Sequence, residues 1–117
     1  MLFSRMKKDV YVYLADIKES IESIAKYTSG DRINEMGSNQ QLLDAVIRRL
    51  LIIGEVVKKI PDEARELEPS IPWKKIAGTR DVFVHEYKSI IPEQVEFIVK
   101  NDLPALAEAV ARLESKL

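Results

Sequence analysis

Residues 42–60 read LLDAVIRRLLIIGEVVKKI. Leu42, Leu43, Val46, Ile47, Leu50, Ile53, Val56, Val57 and Ile60 fall at helical spacings, and Leu51 and Ile52 extend the apolar surface around most of the wheel. A helix apolar on most sides must be buried on most sides. It stands either at the centre of a bundle or half in a core and half in a subunit interface. A chain of 117 residues has few other helices to cover it, so the second arrangement is expected, with a partner subunit completing the burial. Gly54 interrupts the run at a cost of about 1 kcal/mol relative to Ala. That cost predicts close approach of a neighbouring backbone.

On the N-terminal side, Ser38 followed by Gln41 has the pattern of a capping box, which places the helix at about 39–60. Further upstream Val10, Leu14, Ile17, Ile21 and Ile24 recur at threes and fours, predicting an amphipathic helix over about 5–27. The TSGDRINEMG segment between the two helices reads as a connection with a partly helical middle. On the other side Pro61 ends the apolar helix, and Asp62 caps a short one running to Glu68 and stopped by Pro69. Pro72 opens a fourth helix that carries Trp73, Ile76 and Phe83 towards His85, and Pro92 opens a fifth over about 92–100. Asp102 is read as the cap of a last helix with Leu103, Leu106, Val110 and Leu113 on one face. No strand-like alternation or internal repeat is visible. The expectation is an all-α antiparallel bundle with short connections, one domain over residues 1–117.

Eighteen Lys and Arg against nineteen Asp and Glu leave a net charge of −1, which excludes a broad basic surface for nucleic acid; any polyanion must be met locally. The absence of cysteine excludes disulfides and thiolate metal sites. The N-terminal MLFSRMKKD mixes charge and apolar residues too finely for a signal peptide, and no apolar run is long enough to span a bilayer. A cytoplasmic location without membrane contact is expected.

Residues 78–87, GTRDVFVHEY, gather Arg80, Asp81, His85, Glu86 and Tyr87. A metal site is disfavoured, because the single histidine has one carboxylate, Asp81, on its helix face and no second imidazole in the chain. A serine hydrolase would need a strand-to-helix turn that the chain does not supply. Phosphodiester chemistry fits better. Metal-free RNA cleavage needs a group titrating near neutrality to move a proton and a fixed cation to stabilise charge on phosphorus oxygens, and histidine and arginine supply these. Asp81 would orient either the arginine or the imidazole. Lys74, Lys75 and Lys88 flank the cluster as phosphate contacts. Residues five apart on a helix lie about 140° apart and about 7.5 Å along its axis, so one copy of Arg80 and His85 is a sparse site. A twofold dimer would bring two copies to one cleft. Read alone, the histidine also suits a hydrogen-bonded helix end and the Arg-Asp pair a surface ion pair. Arg48, Arg49, Lys58 and Lys59 are read as a solvated helix face.

Arginine, a polar residue, three more residues, histidine, any residue and tyrosine is a pattern that resembles the HEPN superfamily, and within it the HepT-like ribonuclease toxins of toxin–antitoxin pairs. IIGEVVKKIP from Ile52 to Pro61, IPWKKIAGTR from Ile71 to Arg80 and DLPAL from Asp102 to Leu106 resemble that family's other recurring segments, in the same order. The resemblance implies a dimeric helical bundle acting on RNA as an endoribonuclease with neither metal nor other cofactor, through Arg80 and His85 of both subunits. It also implies a partner, a minimal nucleotidyltransferase antitoxin that transfers AMP to the motif tyrosine, here Tyr87. The position after the arginine is often asparagine in the family; here Asp81 puts a negative charge beside the phosphate-binding arginine. The competing class is a non-catalytic helical module that dimerises and binds a nucleotidyltransferase or a nucleotide.

Overall fold

The computed structural model describes residues 4–117, so the first three residues of the N-terminal reading lie outside the described residues. Helix α1 spans Ser4–Tyr27 and buries Val10, Leu14, Ile17 and Ile24, the stripe its spacing predicts. Gly30, at φ 62°, turns the chain out of α1 into a 3₁₀ turn over Gly30–Glu35, a backbone angle that glycine adopts without cost. Helix α2 follows over Gln40–Val57. Its cap is Asn39 rather than the expected Ser38–Gln41 box. The Asn39 side chain accepts from the Leu42 amide at 3.1 Å, while the Ser38 hydroxyl donates back to the Glu35 carbonyl at 3.2 Å. Asparagine caps as well as serine, and the 3₁₀ turn ahead claims Ser38.

At the other end of α2 the Arg65 guanidinium donates to the carbonyls of Val57 and Ile60, at 2.8 and 2.9 Å. Arg65 ends helix α3, Asp62–Arg65, which is shorter than expected and opens on Pro61 without any side-chain cap from Asp62. The Trp73 indole donates to the Arg65 carbonyl at 3.2 Å and so ties this corner to the start of helix α4, Trp73–His85. A 3₁₀ turn over Tyr87–Ser89 leads to helix α5, Pro92–Phe97.

The expected break at Asp102 is absent. Asp102 has helical dihedrals and makes no capping bond; α5 runs through a π turn, Ile98–Asp102, into helix α6, Leu103–Lys116. Pro104 explains the widening. It has no N–H for the Lys100 carbonyl, and its ring would strike that carbonyl in a regular helix. The Leu103 amide reaches the Ile98 carbonyl instead, a five-residue step that makes room.

Helix α2 is the centre of the bundle. Its Leu42, Leu43, Val46, Ile47, Ile53, Val56 and Val57 are buried, with α1, α4 and α5 packed around it and α6 against α1. The other helices of the same chain cover most of α2, while Leu50, Leu51 and Ile52, which widen its apolar face, stay only partly buried. Large exposed apolar residues lie elsewhere, notably Val82 and Val84 on α4, Tyr87, Ile91, and Phe97 on α5. Among the described residues there is no strand, and no helix is long and apolar enough to cross a membrane.

Candidate active site

Helix α4 lies antiparallel on α2, and the register is set by a few contacts. Tyr87 meets Asp44, Arg80 meets Gly54 and Glu55, and Asp81 meets Lys58. The contact at Gly54 is the tightest. A Cβ there would stand 2.3 Å from the Arg80 Cβ, 2.8 Å from its Cγ and 3.4 Å from the Ile76 carbonyl oxygen. The missing side chain thus makes room for the stem of Arg80 more than for backbone, which refines the reading of Gly54 made from sequence.

With its stem laid against Gly54, the Arg80 side chain is only 25% exposed. Its Nη1 donates to Asp81 Oδ1 at 3.0 Å, its Nη2 lies 3.6 Å from Glu55 Oε1, and its Nε is buried with no partner among the described residues. Lys58 Nζ donates to the same Asp81 oxygen. Two cations and two carboxylates form one local network of zero formal charge. The Lys58 ammonium and then the Arg80 guanidinium hold the Asp81 carboxyl below the usual aspartate range. Asp81 is bonded to the arginine, and among the described residues no hydrogen bond joins it to the imidazole. Lys58 is exposed, as its reading on a solvated face expects, and adds to that an ion pair with Asp81. Glu55 had no assigned role, although its place beside a glycine inside a helix puts it next to whatever packs there.

His85 is the last residue of α4 and is exposed, and among the described residues no hydrogen bond reaches its imidazole. Helix α4 stays regular from Arg80 to His85, so the two side chains leave it about 140° apart. Arg80 lies against α2 and His85 faces solvent; a single chain does not bring them together. Lys74 and Lys75 lie in the first turn of α4, some ten residues before His85 and hence about 15 Å along the axis from it. Lys75 shares with Arg80 the wall of an apolar groove of about 230 Å³, floored by Leu50, Ile53 and Phe83 and closed on the far side by Leu103 and Leu106. Lys88 is exposed in the 3₁₀ turn beside Tyr87. No three histidine, aspartate or glutamate side chains gather as a metal site would require, among the described residues.

The Tyr87 hydroxyl donates to Asp44 on α2, and Gln40 Nε2 donates to the same carboxyl oxygen at 2.8 Å. These bonds, Tyr87 first, lower the Asp44 pKa, and the Asp44 carboxylate raises that of Tyr87. Sequence reasoning singled out Tyr87 but not Asp44, whose partner lies 43 residues away.

An all-helical bundle with this arginine and histidine on one antiparallel helix, and this tyrosine in the turn that follows it, is of the HEPN class. A family profile described as "Ribonuclease HepT-like" matches residues 17–113, and the chain belongs to the HepT-like ribonuclease family. It is 40% identical over 112 residues, or 96% of its length, to the "Gamma-glutamylcyclotransferase and putative RNase MJ0434" of Methanocaldococcus jannaschii, of which it spans 50%. It is 38% identical over 104 residues to "Putative RNase MJ1380" of the same organism, covering 89% of the chain and 95% of that relative. It is also 38% identical over 101 residues to "Probable ribonuclease HepT" of Thermococcus cleftensis, covering 86% and 92%. No solved structure matches the chain significantly.

Proposed function

We propose that this protein is the toxin of a toxin–antitoxin pair, an endoribonuclease that cleaves RNA without a metal, using Arg80 and His85. The observation that carries the reading is the seating of Arg80 on Gly54, oriented by Glu55 and Asp81, in a chain of ribonuclease family that exposes its one histidine five residues further on. Held in this way, the guanidinium loses little freedom when it takes a phosphate. His85 moves the proton: the 2′-oxygen bonds to phosphorus as its proton leaves, the bond from phosphorus to the 5′-oxygen breaks, and that oxygen is protonated. The products are a 2′,3′-cyclic phosphate and a 5′-hydroxyl. Lys75 and Lys88 supply further phosphate contacts, and Lys74 a more distant one. Glu55 and Lys58 join the site by holding Arg80 and Asp81.

The divergence of Arg80 and His85 on one helix favours a twofold dimer, in which the histidine of one subunit serves with the arginine of the other. The exposed Val82, Val84 and Phe97 offer apolar surface for that contact. A minimal nucleotidyltransferase partner neutralises the toxin by adenylylating Tyr87, a residue 47% exposed. The Tyr87 oxygen bonds to the α-phosphorus of ATP, the bond to pyrophosphate breaks, and the phenolic proton passes to solvent. The bulky anion then lies two residues from His85 and repels RNA.

The test compares RNA cleavage and growth arrest by the wild type, His85→Ala and Arg80→Ala. Both variants should fold, dimerise and fail to cleave; cleavage retained by folded His85→Ala protein would falsify the assignment. Incubation with the partner and ATP should raise the intact mass by whole AMP units, and Tyr87→Phe should abolish the rise. The non-catalytic binding module predicts dimerisation and partner binding with no cleavage by the wild type.

A further inference from the structure

Residues 85–89 carry the motif histidine and tyrosine, and every one of them is exposed. Backbone hydrogen bonds within this stretch are local: Glu86 to Val82 at 2.8 Å, Ser89 to Glu86 at 2.8 Å, and Ile90 to Tyr87 at 3.3 Å. Among the described residues, the side-chain hydrogen bond that ties the stretch to another helix is the one from Tyr87 to Asp44. Its acceptor is held in turn by Gln40, one helical turn earlier. A short exposed segment with no buried side chain is held weakly. One charge-assisted hydrogen bond is then a large share of what holds it.

We propose that Asp44 is a positioning residue, which fixes the end of α4 on α2 through the Tyr87 hydroxyl and releases it when that hydroxyl is modified. The second half of this inference rests on Tyr87 being the adenylylated residue. Replacing the hydroxyl proton by an α-phosphoryl group removes the donor, and it sets a phosphodiester anion against the Asp44 carboxylate. Both changes push in one direction. The segment leaves α2, and His85, two residues away, moves with it. Adenylylation thus disables the site by displacing its proton carrier as well as by obstructing RNA, and Asp44 is the residue that couples the two. The low pKa of Asp44 and the high pKa of Tyr87 agree with a proton kept on the phenol in the unmodified protein.

The chain has one histidine, so an imidazole carbon–proton correlation spectrum reports His85 as a single environment. That spectrum and RNA-cleavage kinetics are measured on the wild type, Tyr87→Phe, Asp44→Ala, Asp44→Asn and the Tyr87→Phe/Asp44→Ala double variant, each checked for folding by thermal melting. Tyr87→Phe and Asp44→Ala should move the His85 resonance to one common position and lower kcat on the order of tenfold, with KM little changed. The double variant should go no further, because both changes remove the same bond. Asp44→Asn keeps the acceptor oxygen and should restore both readouts, and the adenylylated wild type should show the resonance displaced as in Tyr87→Phe. An unmoved resonance in Tyr87→Phe, or additive losses in the double variant, overturns the proposal. A wild type that cleaves no RNA would defeat the ribonuclease reading instead, and the resonance would still decide the role of Asp44.

Discussion

Gly54 and Arg80 are packed so closely that position 54 has no space for a side chain: a Cβ there would lie 2.3 Å from the Arg80 Cβ. The obstacle is the root of the arginine side chain, which cannot swing aside as a flexible tip would. Gly54→Ala should therefore act against its intrinsic helix preference. The gain of about 1 kcal/mol from propensity is set against an overpacking cost of typically 1–3 kcal/mol. The expected outcome is a net loss of about 1 kcal/mol in urea denaturation, with a larger proportional loss of cleavage as Arg80 is pushed from its seat. A variant as stable and active as the wild type would show that the helices separate there at no cost.

Asp81 binds both Lys58 and Arg80. Asp81→Asn keeps an acceptor oxygen for these donors and removes the negative charge. With one carboxylate fewer beside the guanidinium, KM for RNA should fall roughly fivefold, the scale of one partly exposed ion pair worth up to about 1 kcal/mol. Lys58→Met should do the reverse, leaving Asp81 to draw on Arg80 alone. Steady-state kinetics on the two variants, with opposite shifts in KM, check the pair.

Glu68 joins the segment after α3 to α6. Its buried carboxylate is bonded by Lys116, by Ser70 and by Arg112, and these hold its pKa down to about 2 from the ordinary 4.5. Because the folded protein resists protonating this group more than the unfolded chain does, its stabilisation is complete above about pH 4.5 and is lost as pH falls towards 2. Glu68→Gln should be less stable than the wild type at neutral pH, and the gap should close on acidification through that window. Chemical denaturation across a pH series provides the check.

The salt dependence of RNA binding should be bounded by the small number of phosphate contacts. A chain of net charge −1 holds phosphates with a few side chains, and each phosphate contact on a single strand contributes a slope of about −0.7 in log K against log salt. A dimer engaging Arg80, Lys75 and Lys88 from both subunits has an upper limit near −4, by the same rule of about −0.7 for each of six contacts. Fluorescence anisotropy over a salt series measures the slope. A much steeper one would require a basic face that the charge balance excludes.

Much of this molecule is legible in local pattern. The α1 stripe, the apolar α2, the proline-opened α4 and the cluster from Arg80 to Tyr87 follow from spacing and turn chemistry, because those preferences act over one or two helical turns. Misreadings arise where two local signals compete. Asp102 ahead of Pro104 looks like a new helix start, yet a π turn absorbs the proline and the helix continues. Ser38 and Asn39 both suit a cap, and the preceding 3₁₀ turn decides between them.

The sequence by itself determined that this is a helical bundle of near-neutral charge, and it marked Arg80 and His85 as candidates to act on a phosphodiester, Asp81 as a candidate to orient them and Tyr87 as a candidate for modification. Tertiary structure alone decided which groups hold them. Asp44 and Glu55 on α2 and Lys58 at its C-terminal cap are ordinary polar residues, indistinguishable from a solvated face until α4 is laid antiparallel across them. The same packing buried most of the apolar surface of α2, left Leu50, Leu51 and Ile52 partly covered, and left Val82, Val84 and Phe97 outside. Helical periodicity states which residues share a face. What that face meets depends on contacts between segments some 23 to 43 residues apart, and no local preference encodes them.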